Sequence, residues 1–394
     1  MLCLAAVYLQ GGWRRDDPAV YQFYAQHFWE SLGHPRLPSE YPPLSVLPFG
    51  LTLLAPGGSG LDAFAMGMAA LFAAGFFAFR RWSSDSKAWT YVVYALTAEV
   101  GTLLFRYDLL PALMVVAGIW LLERRRFGPV YALIGMGTLL KLFPLALLPV
   151  VVIAQWRVGI APGDRQGWRR PALGVGLCAV IVAAGFGGAL LIDPSHALGS
   201  VTYFLQRPVE VESMPATLMW LGSLGGVSIT AVYSHTSFAL TGPLSPAASV
   251  LCDAVLIVGV LWVLWRQVTG RITASYATVA VLLVVICTSH VLCPQYLLWV
   301  IPALATVQGF QWRWLPPFAM TSLIYPFLFH FAAHANPPGY TDGLLPAVAL
   351  RNVLLVACAV TFIVATPVLV SARRAGEPLF LCPSAGRAHG SNAL

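Results

Sequence analysis

Two adjacent acidic residues, Asp16 and Asp17, stand directly before Pro18 near the start of the chain. A carboxylate at such a position could act as a general base that takes the proton from an attacking hydroxyl group. It could instead begin a helix, because Asp before a Pro at the first helical position is a common helix start. Spacing alone leaves both interpretations open, and one residue can serve both roles.

Isolated charges interrupt the apolar parts of the chain. Arg106 and Asp108 lie between two apolar stretches, where an ionisable group is costly unless it is paired or hydrated. They could form an interfacial ion pair or contact a ligand. Lys141 lies inside a longer apolar run, just before Pro144, and needs an anionic partner or a route to water. A bound phosphate would supply the partner, and snorkelling to the membrane surface is the alternative.

A third polar segment combines Arg207 with Glu210 and Glu212 ahead of a short apolar stretch. An arginine can bind a phosphate through two parallel hydrogen bonds, while carboxylates can hold hydroxyl groups. A solvated loop would show the same charge pattern. The segment is therefore a candidate ligand site that needs structural support.

The polar interruption from Ser289 to Trp299 contains His290, Gln295 and Tyr296. These side chains could line a site for a hydroxylated ligand, although Tyr and Trp also form ordinary interfacial belts. The sequence contains no Gly-rich phosphate loop, no zinc signature and no Gly-x-Ser-x-Gly motif. Carboxylates with the spacing of metal ligands are also missing, so we predict neither a metal nor a cofactor.

The composition is that of a membrane protein. Of the 394 residues, 58% are hydrophobic and only 10% are charged, whereas soluble domains carry about 25% charged residues. The net charge of +7 could suggest nucleic-acid binding. However, the basic residues cluster beside apolar segments, as the positive-inside rule predicts, so we expect membrane lipids and no nucleic acid as partners. The seven cysteines are scattered and indicate packing.

Long apolar blocks predict an all-α, polytopic transmembrane bundle of about twelve crossings. Two shorter stretches, 44–56 and 214–232, are predicted to be re-entrant or half-helices. The block at 128–156 is predicted to break near Leu140 to Pro144 and to cross twice, because Pro144 removes a helix hydrogen bond. The predicted blocks are about 60–79, 88–105, 108–122, 128–156, 171–192, 246–265, 273–290, 292–309, 314–332 and 343–370.

Basic clusters orient the bundle, and we expect them all in the cytoplasm. The candidate site residues then share the outer face of the membrane. Residues 1–374 are predicted to form one domain and 375–394 a disordered cytoplasmic tail. The apolar segment from Met1 to Gln10 is too short to span a bilayer, so the first helix is expected to be truncated. The clusters are Arg80, Arg81 and Lys87; Arg124 to Arg126; Arg157, Arg165, Arg169 and Arg170; Arg266 and Arg271; Arg313; and Arg373 and Arg374.

Four fragments in order resemble glycosyltransferase family 87, the actinobacterial polyprenol-phosphate-sugar transferases of the GT-C class. Asp17-x-x-x-Tyr21 followed by Tyr41-Pro42-Pro43-Leu44 is similar to the family's first-loop signature. The other three are Leu140 to Pro144, Gln206 to Ser213, and Ser289 to Trp299. The last departs from the family pattern, which has Ser where this chain has Cys293. The resemblance covers nearly the whole chain.

The resemblance implies an inverting transfer of a sugar, with mannose as the first choice. The donor would be a polyprenyl-phosphate sugar, and the acceptor a lipid- or polysaccharide-linked glycan on the outer face of the bacterial plasma membrane. Asp17 would be the catalytic base, with Asp16 as runner-up. Donor phosphate binding is assigned to Lys141, Arg207 and Arg106, and sugar or acceptor binding to Tyr21, Tyr41, Asp108, Glu212, His290, Gln295 and Tyr296.

Two alternatives stay open at this point. The first is an arabinofuranosyltransferase that uses decaprenyl-phosphate arabinose, since sequence does not separate the two sugars. The second belongs to another functional class and is a transporter or flippase for lipid-linked sugars, suggested by the same isolated charges on apolar helices. A transporter needs no base in the outer loop, so the role of Asp17 discriminates between the classes.

Overall fold

The computed structural model describes residues 16–31, 33–55, 60–159, 167–334 and 343–364. These residues are mostly helical, which confirms a helical membrane protein. Within these described ranges, four helices are long and apolar enough to cross a membrane, and six further apolar helical segments are shorter. The number of about twelve crossings stays a prediction. The proposed tail at 375–394 and the segment from Met1 to Gln10 lie outside the described residues.

We number the α-helices in chain order. They are α1 (Asp16–Ala25), α2 (Val46–Phe49), α3 (Gly60–Trp82), α4 (Asp85–Ala98), α5 (Leu109–Glu123), α6 (Phe127–Leu140), α7 (Leu148–Gly159), α8 (Arg169–Ile192), α9 (Gly199–Gln206), α10 (Met214–Leu224), α11 (Ser245–Val268), α12 (Ala274–Thr288), α13 (Leu297–Val307), α14 (Leu315–Ser322), α15 (Phe329–His334) and α16 (Leu345–Val364).

The predicted break in the block at 128–156 is confirmed. Helix α6 ends at Leu140, and Lys141 has an extended backbone with φ −155° and ψ 138°. A short 3-10 turn, Phe143–Leu147, follows before α7 begins at Leu148. Because Pro144 stands at the start of that turn, its missing N–H leaves no hydrogen bond unmade. The break therefore places Lys141 at a point where the helical backbone is interrupted.

The segment at 44–56 also forms short elements. Pro43–Ser45 and Gly50–Leu53 are 3-10 turns on either side of α2. None of these pieces is long enough to cross a bilayer, which needs about 20 helical residues. This finding agrees with the predicted half-helix.

The interior of the bundle is built from two short helices. All eleven residues of α13 are buried, and so are most of those of α12. The long helices α3, α8 and α11 lie at the periphery, where fewer than a fifth of their most apolar residues are buried. An apolar helix that buries so little of its surface against protein is expected to face lipid.

A β-hairpin corrects the all-α prediction. Strands β1 (Thr230–Ser234) and β2 (Ser237–Thr241) pair in antiparallel register. The β2 strand also pairs with residues 209–211: the Val211 N–H donates to the Phe238 carbonyl at 3.0 Å, and the Leu240 N–H donates to the Val209 carbonyl at 2.8 Å. The predicted half-helix at 214–232 was therefore wrong beyond α10. Alternating Thr, Val and aromatic residues favour extended structure there.

Candidate functional site

Asp17, the acid of the first-loop signature, contacts Arg106, which lies in the turn between α4 and α5. Asp17 lies in the first turn of α1 and forms an ion pair with Arg106. The side chains are 29% and 18% exposed, so both can reach solvent or a ligand. Asp16 begins the same helix, but its side chain lies outside the described residues. The structure thus brings Asp17 and Arg106 together, as an acid and a cation at one accessible place.

Aromatic packing fixes the position of α1. The fully buried Tyr21 stacks on Phe49 with ring centroids 4.3 Å apart. It also makes edge-to-face contacts with Tyr41 and Tyr107, each at 5.7 Å. Such aromatic contacts contribute about 0.5–1.5 kcal/mol each beyond the area they bury. Tyr21 and Tyr41, predicted to bind sugar, therefore lie directly behind Asp17 and orient the helix that carries it.

Arg207 is a partly buried cation near the same acid. Among the described residues it forms no ion pair and no hydrogen bond; its guanidinium lies 5.6 Å from the centre of the Tyr203 ring. Electrostatic interactions join it to Glu40, Glu210 and Tyr296. An unpaired cation in such surroundings favours an anionic ligand.

Glu40 connects the two cationic side chains to Asp17. Burial raises the pKa of the Glu40 carboxyl, and the neighbouring Asp17 carboxylate raises it further, while Arg207 and Arg106 act in the opposite direction. Asp17, Arg106 and Arg207 thus all lie near enough to Glu40 for their charges to affect it. Sequence analysis missed Glu40 as a site residue, although it directly precedes Tyr41 in the first-loop signature.

Lys141 has a protein partner. Its Nζ atom lies 2.9 Å from Oδ1 and 3.0 Å from Oδ2 of Asp108, which is fully buried. The ammonium group also lies 4.9 Å from the centre of the Tyr107 ring. The Trp299 indole N–H donates to Asp108 at 2.6 Å. Lys141 therefore needs no phosphate to neutralise it, and its assignment to the donor phosphate stays a prediction.

Glu212 also has a fully buried partner. Arg351, in the interior of α16, donates to the Glu212 carboxylate at 3.2 Å and to its backbone carbonyl at 2.8 Å. The neighbouring Asn352 donates to the carbonyls of Glu212 and Ser213. Sequence analysis overlooked Arg351, although a charge inside the apolar block at 343–370 was a visible signal. Glu212 is thereby committed to this pair, and its predicted contact with sugar remains untested.

The Glu210 carboxylate is held by the β-hairpin and by the segment before α13. Its carboxylate accepts from the Ser237 hydroxyl at 3.2 Å and from the Leu292 N–H at 3.3 Å. Burial raises the pKa of Glu210, and the positive charges of Arg207 and Arg351 partly offset that effect. The hairpin thus places an acid between the accessible Arg207 and the buried Arg351.

The segment at Ser289 to Trp299 contributes unequally to the site. Tyr296 is buried and stacks on Trp299 with centroids 3.9 Å apart, so it belongs to the central cluster. Gln295 is also buried, and its side-chain carbonyl oxygen has no partner among the described residues. His290, by contrast, points to the periphery, where its Nε2 lies 2.8 Å from the exposed Asp253 carboxylate. The His290 side chain is therefore turned toward Asp253, although its backbone carbonyl accepts from the Glu210 N–H at 2.9 Å.

A second carboxyl group escaped sequence analysis. Glu99, just after α4, is 1% exposed and accepts a hydrogen bond from the Thr102 hydroxyl. It interacts electrostatically with Asp108, Glu212 and Arg106. The described residues contain no group of three or more His, Cys, Asp or Glu side chains that could hold a metal ion. The buried carboxyl groups of Asp108 and Glu212 thus lie beside basic side chains and do not form a metal-binding cluster with other described residues.

The loop that contains Leu37 is tied down by a cap at the end of α8. The Leu37 N–H donates to the Asp193 carboxylate at 3.0 Å, and Ser195 and His196 contact the same carboxylate. Burial disfavours the charged form of Asp193, but these hydrogen bonds prevail and lower its pKa to about 2. This cap holds the segment that leads into Glu40 and Tyr41.

Comparison with known proteins identifies the family. No curated protein and no solved structure matches the chain. The family model for glycosyltransferase family 87, however, matches residues 40–294. That range is more than half of the chain and includes Arg106, Lys141 and Arg207. The chain therefore belongs to glycosyltransferase family 87 and is a glycosyltransferase.

Proposed function

We propose that the chain is a GT-C type enzyme that transfers a sugar, with mannose as the first choice, from a polyprenyl-phosphate donor. The acceptor is a lipid- or polysaccharide-linked glycan at the outer face of the bacterial plasma membrane. The observation that carries the proposal is the accessible ion pair of Asp17 with Arg106, whose charges, like that of Arg207, act on Glu40. These residues supply a carboxylate that can act as a base and a guanidinium, that of Arg207, that makes no direct ion pair with a described residue.

The phosphate of the donor is assigned first to Arg207. Glu40 and Glu210 act electrostatically on this partly buried guanidinium, but no described residue forms a direct ion pair with it, so it can contact a phosphate. Arg106 is the second contact, because it is 18% exposed beside Asp17. A phosphate arriving at Arg106 competes with Asp17 for the same guanidinium.

This competition gives the base its role. When Arg106 turns toward the donor phosphate, the Asp17 carboxylate loses a counter-charge and becomes more basic. Asp17 then takes the proton of the acceptor hydroxyl as the oxygen bonds to C1 of the sugar. The bond from C1 to the phosphate oxygen breaks, and polyprenyl phosphate leaves with the electron pair. Arg207 and Arg106 stabilise the charge that develops on that oxygen.

The interior pairs have a supporting role in this scheme. Lys141 holds Asp108, and Arg351 holds Glu212, so both buried acids have their charge compensated within the protein. We assign the sugar to Tyr296, which interacts electrostatically with Arg207, and to its neighbour Gln295, whereas His290, paired with Asp253, is a poorer choice. Arabinose transfer from decaprenyl phosphate uses the same chemistry and is the alternative activity.

The test is sugar transfer from synthetic polyprenyl-phosphate mannose and, separately, polyprenyl-phosphate arabinose. Membranes carrying the wild type are compared with Asp17→Asn and with Asp253→Asn as a matched control, since Asp253 is an exposed acid at the periphery. Loss of a general base is expected to lower the rate about 10²–10⁴-fold. The donor that supports turnover identifies the sugar.

The test distinguishes three outcomes. Turnover with one donor that is lost in Asp17→Asn but kept in Asp253→Asn supports both the activity and the base. Equal turnover in wild type and Asp17→Asn removes Asp17 from the chemistry. If neither donor is used but lipid-linked sugar crosses the membrane of vesicles, the transporter alternative replaces the enzyme proposal for these substrates.

A further inference from the structure

A second candidate ligand site lies away from the polar centre. A half-open cavity of about 300 Å³ is lined by α3, α5 and one residue of α13. It extends along α3 from Ala74 to Trp82, which is about 12 Å at 1.5 Å per helical residue. Small side chains leave the space open: Ala74, Gly75 and Ala78 on α3 face Ala117 on α5. An elongated apolar chain fits such a shape.

Two buried polar atoms in or next to the lining of this cavity have no partner among the described residues. One is Nε1 of Trp120, which lines the cavity; the other is the hydroxyl of the fully buried Tyr91, which does not line it but lies next to the lining residue Gly75. That hydroxyl lies 3.1 Å from the point where a side chain on Gly75 would begin. A buried donor without an acceptor costs about 1–3 kcal/mol. A ligand with oxygen acceptors beside its apolar chain would satisfy such donors.

Basic residues surround one end of the cavity. The rings of Trp82 and Trp120 lie 5.1 Å apart, so the last turns of α3 and α5 are adjacent. Arg80 and Arg81 lie in the last turn of α3, and Arg124 to Arg126 directly follow the end of α5. Arg124 covers the Trp120 ring at 3.7 Å. The acids nearby, Asp85 and Glu123, already accept hydrogen bonds from Arg80 and Ser275.

We propose that this cavity binds one acyl chain of an anionic glycerophospholipid. The phosphate lies among the arginines at the ends of α3 and α5, and an ester carbonyl accepts the hydrogen bond of Trp120. Charge selects the occupant, because five arginines attract an anionic headgroup and offer nothing comparable to a zwitterionic one. The site is distinct from the proposed donor site, which is built from Asp17, Arg106 and Arg207.

The experiment uses the full chain in vesicles of phosphatidylcholine with or without phosphatidylglycerol, followed by extraction and counting of the retained lipids by native mass spectrometry. The variants are Ala78→Phe, which fills the cavity, and Arg81→Gln with Arg124→Gln. The matched controls are Ala183→Phe and Arg169→Gln on α8, where both positions are exposed. The wild type should retain phosphatidylglycerol over phosphatidylcholine.

Each arginine removed is expected to weaken that retention about fivefold, equivalent to ~1 kcal/mol per basic residue. Ala78→Phe should abolish the preference, and the α8 controls should keep it. Equal retention of both lipids by the wild type, or a preference that survives Ala78→Phe, would overturn the proposal. Displacement of the lipid by polyprenyl phosphate, with no loss in the arginine variants, would assign the cavity to the donor chain instead.

A second measurement covers the case in which a variant does not fold. Phosphatidylglycerol with brominated acyl chains should quench the tryptophan fluorescence of the wild type more than brominated phosphatidylcholine does. The difference should disappear when Trp82 and Trp120 are both replaced by Phe, because these indoles line the cavity. A difference that persists in the double variant would show that the preference arises elsewhere and contradict the site.

Discussion

The carboxylates of this protein are held in two contrasting ways. Asp108 and Glu212 are almost completely buried; Asp108 receives Lys141 and the Trp299 indole N–H, and Glu212 receives Arg351. Asp17 is 29% exposed, and Arg207 makes no direct ion pair with a described residue, although Glu40 and Glu210 act on it electrostatically. A buried pair cannot exchange partners without leaving a desolvated charge, whereas an accessible pair can. The buried pairs are therefore suited to structure and the accessible pair to binding and catalysis.

The largest expected effect follows removal of one member of a buried pair. Arg351→Met leaves Glu212 buried without its partner and should lower the free energy of unfolding by about 3–5 kcal/mol. Thermal unfolding of the detergent-solubilised protein measures this change. Adding Glu212→Gln should recover most of the loss, since it removes the uncompensated charge. If Arg351→Met is as stable as Arg169→Met, an exposed control, the pair does not support the fold.

Lys141→Met tests the other buried pair and should cost somewhat less, about 3 kcal/mol, because Trp299 still donates to Asp108. The double variant Lys141→Met with Asp108→Asn should restore stability. Sugar transfer by the double variant then separates two roles for the lysine. Recovered transfer means that Lys141 only compensates Asp108, while a stable but inactive double variant would assign it to the donor phosphate.

Arg207→Gln should leave stability unchanged and affect the substrate. Hydrogen bonds to a charged group contribute about 1.5–3 kcal/mol, so we expect kcat/KM for the polyprenyl-phosphate donor to fall about 10–100-fold. Arg207→Lys should recover part of the loss, because the charge remains but the forked geometry does not. A loss of stability with unchanged donor kinetics would place Arg207 with the buried pairs instead.

The smallest expected effect concerns Asp193, which caps the end of α8 and holds the segment around Leu37. Because the folded pKa of Asp193 is lowered to about 2, its stabilisation is present above the ordinary value of about 3.9 and is lost as the pH falls toward 2. Asp193→Asn should cost about 1–2 kcal/mol at pH 7 and little at pH 2. Unfolding at both pH values measures the gap, which would stay constant if the charge of Asp193 were unimportant.

The features that could be predicted from sequence are those that depend on neighbouring residues. Local chemistry indicated the break after Leu140, because Pro144 and Lys141 each disfavour a continuous apolar helix. The order of the motif fragments indicated the family. Composition alone identified a helical membrane protein. These features depend on neighbours in the chain, and local sequence is enough to show them.

The partners of the charges could not be predicted in this way. Lys141 and Asp108 are 33 positions apart, and Arg351 and Glu212 are 139 positions apart. Nothing local distinguishes a lysine that meets an aspartate from one that awaits a phosphate. The β-hairpin was missed for a related reason, since residues 209–211, which complete its pairing, lie outside the apolar stretch at 214–232.

The pairing of Arg351 with Glu212 has a consequence for biosynthesis. Glu212 is synthesised 139 residues before Arg351, so for that interval the nascent protein lacks the counter-ion that the folded protein gives it. Closure of the site must therefore wait until nearly all the described residues have been synthesised. A ribosome that stalls before Arg351 would release a chain with an uncompensated buried acid, which is a signal that membrane quality control can detect.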